Sequence, residues 1–441
     1  MSDAANHTSL FTESPRTKKR NAAERRFKVY GLAAIFVGIL ALILLLVTII
    51  GNGAGSFRQT YLTLDVTLSA DKLDKEGNRD PEEMKSVSTF GYAPLIRDAA
   101  VAQLAEIGFE TEIKDKEVGA IVSKDAPAQL RDFVLANPEL VGQTITVEFL
   151  ANGRIDGYQK GRVDRASAAL DSNVSPEQLD ITDALAAAGL LETRFNWAFL
   201  TSPDASDQRP ESAGLGVAIL GSLYMMIIVL VLSLPIGVAA SIYLEEFAPK
   251  NRWTDLIEVN ISNLAAVPSI VFGILGLAIF INFAGLPQSA PIVGGLVLTL
   301  MTLPTIIIAT RASLKSVPPS IRDAALGVGA SKMQSVFHHV LPLAAPGILT
   351  GTIIGLAQAL GETAPLLLIG MVAFVKEFPD APPEGFFDPA SALPIQVYNW
   401  TQRADPAFVE RASGAIIVLL IFLVTMNAVA ILLRRRFERR W

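Results

Sequence analysis

The chain has 441 residues, of which 51% are hydrophobic and 18% charged, and its formal net charge is −6. A soluble domain has about 25% charged residues, so this composition favours a membrane protein without proving one. The absence of cysteine excludes disulfides, iron–sulfur clusters, thiolate zinc sites and a thiol nucleophile. His7 lies in a polar tail and His338 is adjacent to His339. This spacing predicts no metal site.

Six apolar segments are each long enough to cross a membrane, which takes about 20 apolar residues. They are Val29–Ile50, Gly214–Tyr243, Leu264–Phe283, Pro291–Thr310, Pro346–Val375 and Ala412–Leu433. The first could instead be a cleaved signal peptide, because small residues follow it. Its uncharged run of 22 residues exceeds the usual signal core of about 7–15 residues, so we expect an uncleaved anchor.

Lys and Arg near the ends of the spans predict the orientation, because they favour the cytoplasmic side of a membrane. Those before the first span are Arg16, Lys18, Lys19, Arg20, Arg25, Arg26 and Lys28. Those after the last span are Arg434, Arg435, Arg436, Arg439 and Arg440. Both termini are therefore expected in the cytoplasm, as an even number of spans requires.

The spans divide the chain into five regions. These are a basic tail (1–28), an anchor helix (29–50), an external domain (51–212), a transmembrane domain of five helices (213–433) and a basic tail (434–441). The external domain, called the insert below, is expected to be α+β. Its predicted strands are Tyr61–Leu68 and Thr144–Leu150, and its clearest predicted helices are Ala126–Leu135 and Pro176–Leu191.

The insert is strongly acidic. Residues 52–212 contain 16 Lys and Arg against 27 Asp and Glu, a net charge of −11, which leaves +5 for the rest of the chain. A domain of this charge repels anions rather than collecting them. It has no motif that suggests chemistry, so we interpret it as a spacer or a docking module.

Residues 312–342 follow the fourth span and are expected in the cytoplasm, and they are called the coupling loop below. Pro318 and Pro319 predict a helix start, and Gly327 and Gly329 predict its end. The apolar residues with helical spacing on this first helix are Ile321, Ala324, Ala325 and Val328. The small side chains of Ala324 and Ala325 would let a partner approach the backbone closely.

A second short helix is predicted after Gly329. Ser331 and Gln334 have the spacing of a capping box, and Pro342 is expected to end the helix. Its apolar residues are Met333, Val336, Phe337, Val340 and Leu341. Two amphipathic helices too short to span a membrane would fit a partner protein, or would lie on the lipid surface.

The coupling loop resembles the EAA loop of ABC-importer permeases. The residues in the places of that motif are Asp323, Ala324, Ala325, Gly329, Leu341 and Pro342. Asp323 stands for the usual Glu, and His339 for a common Ile. The resemblance implies that this loop docks into a separate ATPase subunit that binds the ATP. The chain itself would be no enzyme and need no cofactor, and it has no GxxxxGK[ST], HExxH or GxSxG motif.

Three segments narrow the resemblance to phosphate permeases of the PstA family, over about residue 193 to the C-terminus. They are Leu264–Phe280, Leu303–Thr310 and Leu360–Leu368 (LGETAPLLL). The resemblance implies an all-α permease of the type I importer fold, with six transmembrane helices, in a bacterial inner membrane with the insert in the periplasm. The implied partners are a PstC-type permease, a PstB-type ATPase dimer and a PstS-type phosphate-binding protein, with inorganic phosphate as substrate and membrane lipid as surroundings, and no nucleic acid.

Two alternatives stay open on the residues alone. The substrate could be another oxyanion such as sulfate or molybdate, or another small solute. A membrane-anchored sensor is the other class, although it would need neither the EAA-like loop nor six spans.

Glu362 is the one charge in the fifth predicted span, and lies close to its centre. A carboxylate there costs a few kcal/mol, so such residues face a cavity or a partner charge. Gly361 and Pro365 would loosen the helix around it. The residues predicted for the translocation pathway are Gln358, Glu362, Thr363 and Arg311. A structural role, in which Glu362 only joins two helices, is the alternative.

Overall fold

The structure, a computed structural model, describes residues 15–74, 76–371 and 374–437. His7, Arg439 and Arg440 lie outside the described residues, as do residues 372–373 within the fifth predicted span. The chain divides into two compact units, one up to Gly51 and one from Asn52 onward. The insert and the helices that follow it therefore belong to a single unit.

The described part of the first unit is the helix α1 (Pro15–Gly53) up to Gly51. This helix has 39 residues and contains the predicted anchor. Its basic first part and its apolar second part are continuous. Lys28 forms an ion pair with Glu24 one turn earlier, with an N–O distance of 2.7 Å. Apart from a few half-buried positions near its end, the helix is exposed from Pro15 to Ile50, as expected of a helix whose surroundings are lipid rather than protein.

The insert is α+β, as predicted. Its elements are β1 (Arg58–Thr67), α2 (Ala70–Leu73), α3 (Pro81–Met84), α4 (Thr89–Glu106), α5 (Asp115–Gly119), α6 (Ala126–Ala136), β2 (Thr144–Leu150), α7 (Gly153–Gln159), α8 (Arg165–Ala168), α9 (Pro176–Ala187), β3 (Leu191–Phe195) and α10 (Ala198–Thr201). The strands form an antiparallel sheet in the order β2-β1-β3. Tyr61 lies opposite Leu150 on one side, and Arg58 lies opposite Phe195 on the other.

The predicted strand Tyr61–Leu68 is shifted to Arg58–Thr67, and the helix predicted to end at Leu135 ends at Ala136. The largest difference is at the end of α9. The helix expected to run to Leu191 ends at Ala187, and Leu191 begins a strand. Gly189 has a φ of +74°, and two backbone hydrogen bonds close the helix end around it, from Gly189 to Ala186 and from Leu190 to Leu185. This Schellman motif turns the chain out of the helix, so β3 can pair with β1.

The second part of this unit is helical. Its elements are α11 (Gly216–Ile242), α12 (Arg252–Ala265), α13 (Ser269–Gly276), α14 (Pro291–Ser316), α15 (Pro319–Gly327), α16 (Lys332–Ser335), α17 (Leu341–Leu360), α18 (Ala364–Leu368), α19 (Leu393–Gln402) and α20 (Pro406–Phe437). Three π-helical segments extend α11, α13 and α16, over Tyr243–Phe247, Leu277–Phe283 and Val336–Val340.

By length and composition, five helices of the described residues could cross a membrane, or up to six if one bent pair counts as a span. That pair is α12 with α13 and its π-helical extension, bent by 100°. The prediction of one helix over Leu264–Phe283 was therefore wrong. Pro268 precedes α13 and restricts the backbone of the residue before it, which disfavours a continuous helix.

The fifth predicted span, Pro346–Val375, also has the wrong bounds. The helix starts earlier, at Leu341, and ends at Leu360, and a short helix follows from Ala364. Gly361 and Pro365 explain the break, because neither glycine nor proline favours the interior of a helix. Glu362 lies in this break and not in the middle of a continuous helix.

Glycines bring the long helices close together. A Cβ atom on Gly294 of α14 would lie 2.4 Å from the sulfur of Met225 on α11. A Cβ atom on Gly351 of α17 would lie 2.2 Å from that of Ala309 on α14. Such small residues are typical of helix contacts in membranes, where close packing replaces the hydrophobic driving force. Helix α14 thus forms the centre of the bundle.

The insert is joined to α20 by buried ionic residues, called the junction network below. Arg411 is 3% exposed and donates hydrogen bonds to Oε1 of Gln59, at 2.8 Å, and to the carbonyl oxygen of Glu211, at 3.0 Å. Glu211 in turn accepts a hydrogen bond of 2.5 Å from Ser123. Burial raises the pKa of the Glu211 carboxyl.

Lys160 lies at the centre of the same network. Its Nζ atom is 2.5 Å from Asp156 Oδ2 and 3.3 Å from Glu410 Oε1, and Arg162 pairs with Glu410 from the other side. Burial lowers the pKa of the Lys160 ammonium, and the two neighbouring carboxylates oppose that shift. The network thus fixes the insert on α20, which argues against a flexible spacer.

The junction network predicts a large effect of Lys160→Met. The substitution leaves Asp156 and Glu410 buried with one cation fewer, so we expect the free energy of unfolding to fall by about 3 kcal/mol. Pulse proteolysis of the purified chain in urea measures this. Lys85→Met, which removes an exposed pair with Glu82, is the control and should have no measurable effect. Equal shifts in the two variants would contradict the role of the network.

Candidate functional site

The turn of the coupling loop is built around Gly329. Its φ is +87°, in the region that favours glycine. The N–H of Gly329 donates to the carbonyl of Leu326, and the N–H of Ala330 donates to that of Ala325, both at 3.0 Å. These two bonds form a Schellman motif that ends α15. Gly329 therefore sets the angle between the two short helices, as the sequence predicted.

The second helix begins as predicted and ends differently. Ser331 and Gln334 form a capping box in which each side chain bonds the backbone N–H of the other. Pro342 does not stop the helix, which continues through the π-helical segment and α17 to Leu360. Pro342 is the second residue of α17 and follows directly on the π-helical segment, where the backbone hydrogen bonds already depart from the α-helical pattern. The second coupling helix is therefore the start of a long helix of the bundle.

The apolar residues of the coupling loop divide between two faces. Ala325, Val336 and Val340 are buried, the last two in a cluster with Leu314 of α14 and Ile242 of α11. The larger apolar side chains left exposed are Leu326, Val328, Met333 and Phe337, and the smaller Ala324 is exposed as well. The sequence predicted one apolar face per helix. In the structure, the buried apolar residues instead pack the loop against the bundle, and the other apolar residues are exposed, Val328 to 86%.

An ion pair holds the first coupling helix to the end of α11. Nη2 of Arg322 donates to Oε1 of Glu246 at 2.6 Å, and Nε donates to the same carboxylate at 3.0 Å. Arg322 also donates to the carbonyl oxygens of Val317 and Leu314, at 2.8 and 2.9 Å. It thus satisfies carbonyls at the C-terminal end of α14, where a cation is favourable. One side chain joins α11, α14 and α15.

Arg311, predicted for the pathway, belongs to this same ionic region. Its guanidinium is 2.5 Å from Glu258 of α12 and 3.4 Å from Glu245. Among the described residues, no hydrogen bond or ion pair connects it with Glu362. Glu245, Glu246 and Glu258, the partners of Arg311 and Arg322, were not predicted from the sequence. The available signal was their position, because Glu245 and Glu258 flank the uncharged stretches that define the spans.

The other predicted pathway residues lie together at the break between α17 and α18. Gln358 is exposed, and Glu362 and Thr363 are half-buried. None of these three side chains has a hydrogen bond or an ion pair within the part of the chain that the structure describes. Residues on both sides of the break, Leu360 and Leu366, are packed in the main apolar core of the bundle. An unpaired carboxylate thus lies on an open face of an otherwise apolar bundle.

Two families of known proteins match this chain. Residues 14–169 match a domain of unknown function, DUF3333. Residues 233–441 match the family described as binding-protein-dependent transport system inner membrane component. A probable ABC transporter permease, YqgI of Bacillus subtilis, is 30% identical over 247 residues, which cover 54% of this chain and 83% of the relative. The chain belongs to this permease family. The prediction of a transport permease is thereby confirmed.

Other relatives of this permease are also transport subunits. The phosphate transport system permease protein PstA 1 of Mycobacterium tuberculosis is 31% identical, over 52% of this chain and 74% of the relative. The phosphate transport system permease protein PstA of Xylella fastidiosa is 30% identical, over 51% of this chain and 77% of the relative. Among solved structures, the inward-facing MetNI methionine ABC transporter covers 51% of this chain and 97% of its own, at 18% identity and a TM-score of 0.39.

The ion pair of Arg322 predicts a measurable change in the dynamics of the coupling loop. Arg322→Met removes the bonds to Glu246 and to two carbonyls, so backbone amides of residues 319–341 should exchange hydrogen about tenfold faster. Mass spectrometry of the exchanged chain measures this. Lys315→Met is the matched control, because the Lys315 side chain is 58% exposed and its ion pair with Glu245 is long, at 3.5 Å. It should have little effect. Unchanged exchange in Arg322→Met would show that packing alone holds the loop.

Proposed function

We propose that this permease is the transmembrane subunit of an ATP-driven phosphate importer and forms half of its translocation pathway. Several of its relatives are phosphate transport permeases. The LGETAPLLL segment that resembles this family lies at the break between α17 and α18. The chain would bind no ATP itself, since hydrolysis would take place in the partner ATPase.

The coupling loop is the part of the permease that we assign to ATPase docking. The observation that carries this assignment is the division of its apolar residues, because the bundle buries one set and leaves Val328, Met333 and Phe337 exposed on one loop. Exposed apolar side chains beside the small, exposed residue Ala324 suit a helix seated in a cleft of a partner protein. Ala325, which the sequence also predicted for that contact, is buried against the bundle instead. The ion pair of Arg322 would carry motion of the docked loop to α11.

The permease would work as one of two halves. It offers one coupling loop, whereas an importer with two ATPase subunits needs two. We expect a PstC-type permease as the second half, a PstB-type ATPase dimer and a PstS-type phosphate-binding protein. The open face at Gln358, Glu362 and Thr363 is where we expect the second half to lie against the pathway.

The orientation that we propose places both termini and the coupling loop in the cytoplasm of a bacterium, and the insert in the periplasm. Because the chain has no cysteine, single cysteines can test this directly. Ser172→Cys in the insert and Ser320→Cys in the coupling loop are both exposed positions. An impermeant thiol reagent should label position 172 in intact spheroplasts, and position 320 only after permeabilisation. Labelling of position 320 in intact spheroplasts would overturn the orientation.

Coupling can be tested at Gly329. Gly329→Asp forces a side chain into a backbone with a φ of +87° and should change the angle between the coupling helices. We expect phosphate uptake to fall at least about tenfold, while the chain stays in the membrane. Gly327→Asp adds the same charge two residues away, where a Cβ atom meets nothing within 4 Å. If both variants lose uptake equally, charge and not the turn is responsible.

Glu362 has a specific role in this proposal. A half-buried carboxylate without a partner among the described residues is costly in an apolar bundle, so we expect a partner from elsewhere in the importer. Glu362 would repel phosphate directly, because both are anions. We propose that Glu362 positions a cation, such as an Arg of the second permease half, in the pathway.

Glu362→Gln tests that role, because it keeps the shape of the side chain and removes the charge. Uptake should fall at least about tenfold if the charge is needed, whereas a hydrogen bond between helices is worth only about 1 kcal/mol or less. Glu362→Asp should give an intermediate loss. Glu384→Gln, at an exposed position, is the control. Normal uptake by a fully assembled Glu362→Gln complex would leave Glu362 a structural residue.

A further inference from the structure

The insert contains a cavity of about 780 Å³ that the proposed transport function does not use. It lies between α4, α5 and the start of α6. Beside it run residues 202–215, called the connector below, which include the end of the insert and lead to α11. Its volume is within the range of about 300–1,000 Å³ typical of sites for small molecules. The cavity is therefore large enough to hold a small organic molecule.

The charge of the cavity differs from that of the insert around it. The insert has a net charge of −11 over residues 52–212. Within the described residues, however, the charged side chains that line the cavity are all cationic, namely Arg97, Lys116, Lys124 and Arg209. Salt screens the acidic surface over about 8 Å, so the nearest charges decide what the cavity attracts. These charges favour an anion.

Two of the four cations are paired and two are not. Arg97 lies 2.6 Å from Asp98, and Arg209 pairs with Asp125. Lys116 and Lys124 have no hydrogen bond or ion pair within the described residues. They are contributed by different elements, Lys116 by α5 and Lys124 by the segment before α6. An anionic group in the cavity would thus meet ammonium groups that no carboxylate of the insert neutralises.

The rest of the lining is mainly apolar. Phe90, at the start of α4, is 84% exposed, which is unusual for an aromatic side chain in a folded domain. The other apolar side chains of the lining include Ala93, Pro94, Ile96, Val122, Ala126 and Pro127. An inorganic anion such as phosphate would fill a small part of this space and leave the apolar surface in contact with water. An apolar body fits it better.

We propose that this cavity is a binding site for a small organic anion, in which Lys116 and Lys124 bind a carboxylate or phosphate group and Phe90 packs on an apolar body. The site would be separate from the translocation pathway. Arg209 lies in the connector seven residues before α11, so a ligand that touches it would connect the insert with the first helix of the bundle that follows. The insert would then be a ligand-binding domain and not only a docking module.

Saturation-transfer NMR on the full chain in lipid nanodiscs tests this site. Phenyl phosphate is the probe, phenyl glucoside is the uncharged probe with the same ring, and empty nanodiscs give the background. Phenyl phosphate should receive saturation from the protein, and phenyl glucoside several-fold less. Inorganic phosphate should compete only weakly, because it lacks the apolar body.

Variants of neighbouring lysines supply the control. The double variant Lys116→Gln/Lys124→Gln should reduce the phenyl phosphate signal at least about fivefold, since it removes both unpaired charges. Lys114→Gln makes the same change two residues from Lys116 but outside the lining and should keep the signal. Equal phenyl phosphate signals in the double variant and in Lys114→Gln, equal binding of phenyl glucoside, or full displacement by equimolar inorganic phosphate would each overturn the proposal.

Discussion

The bond between Arg322 and Glu246 joins the first coupling helix to the end of α11, and further bonds of the same side chain join it to α14. Glu246 lies in the π-helical end of α11, and Arg322 bonds both that carboxylate and the last carbonyls of α14. The coupling loop is thus fixed to the bundle at its start by charge. At its end it is fixed by chain continuity, because the second coupling helix runs into α17. A force applied to the loop would reach α11, α14 and α17 together.

A second ionic connection lies on the insert side of the bundle and also joins parts of the chain that are distant in sequence. The junction network joins the insert to α20 through Lys160, Glu410 and Arg411, all almost fully buried. Buried charges are costly when a partner is lost, so both connections favour single arrangements of the parts that they join. The insert therefore has a fixed position on the permease, and its cavity lies beside the connector to α11.

Local signals in the sequence predicted local structure well. The capping box of Ser331 and Gln334, the turn at Gly329 and strand β2 depend on residues close in the chain, and the structure contains all three. The misplaced helix bounds had local causes, because helices were predicted across Pro268, Gly361 and Gly189. Other features depend on tertiary contacts or on local geometry that composition does not show. Pro342 was expected to stop a helix, and composition alone could not reveal the π-helical turn before it. The partners of Arg322, Arg311 and Arg411 are distant in sequence, so no periodicity could identify them, and β3 depends on pairing with β1.

Uptake of labelled phosphate tests the transport assignment most directly. The permease would be reconstituted in vesicles with its PstC-type partner, the ATPase and the phosphate-binding protein, and sulfate and molybdate would be added as competitors in excess. A phosphate importer predicts ATP-dependent uptake that needs this chain and that neither competitor abolishes. Undiminished uptake when this chain is omitted, or uptake that sulfate or molybdate suppresses as strongly as unlabelled phosphate does, would contradict it.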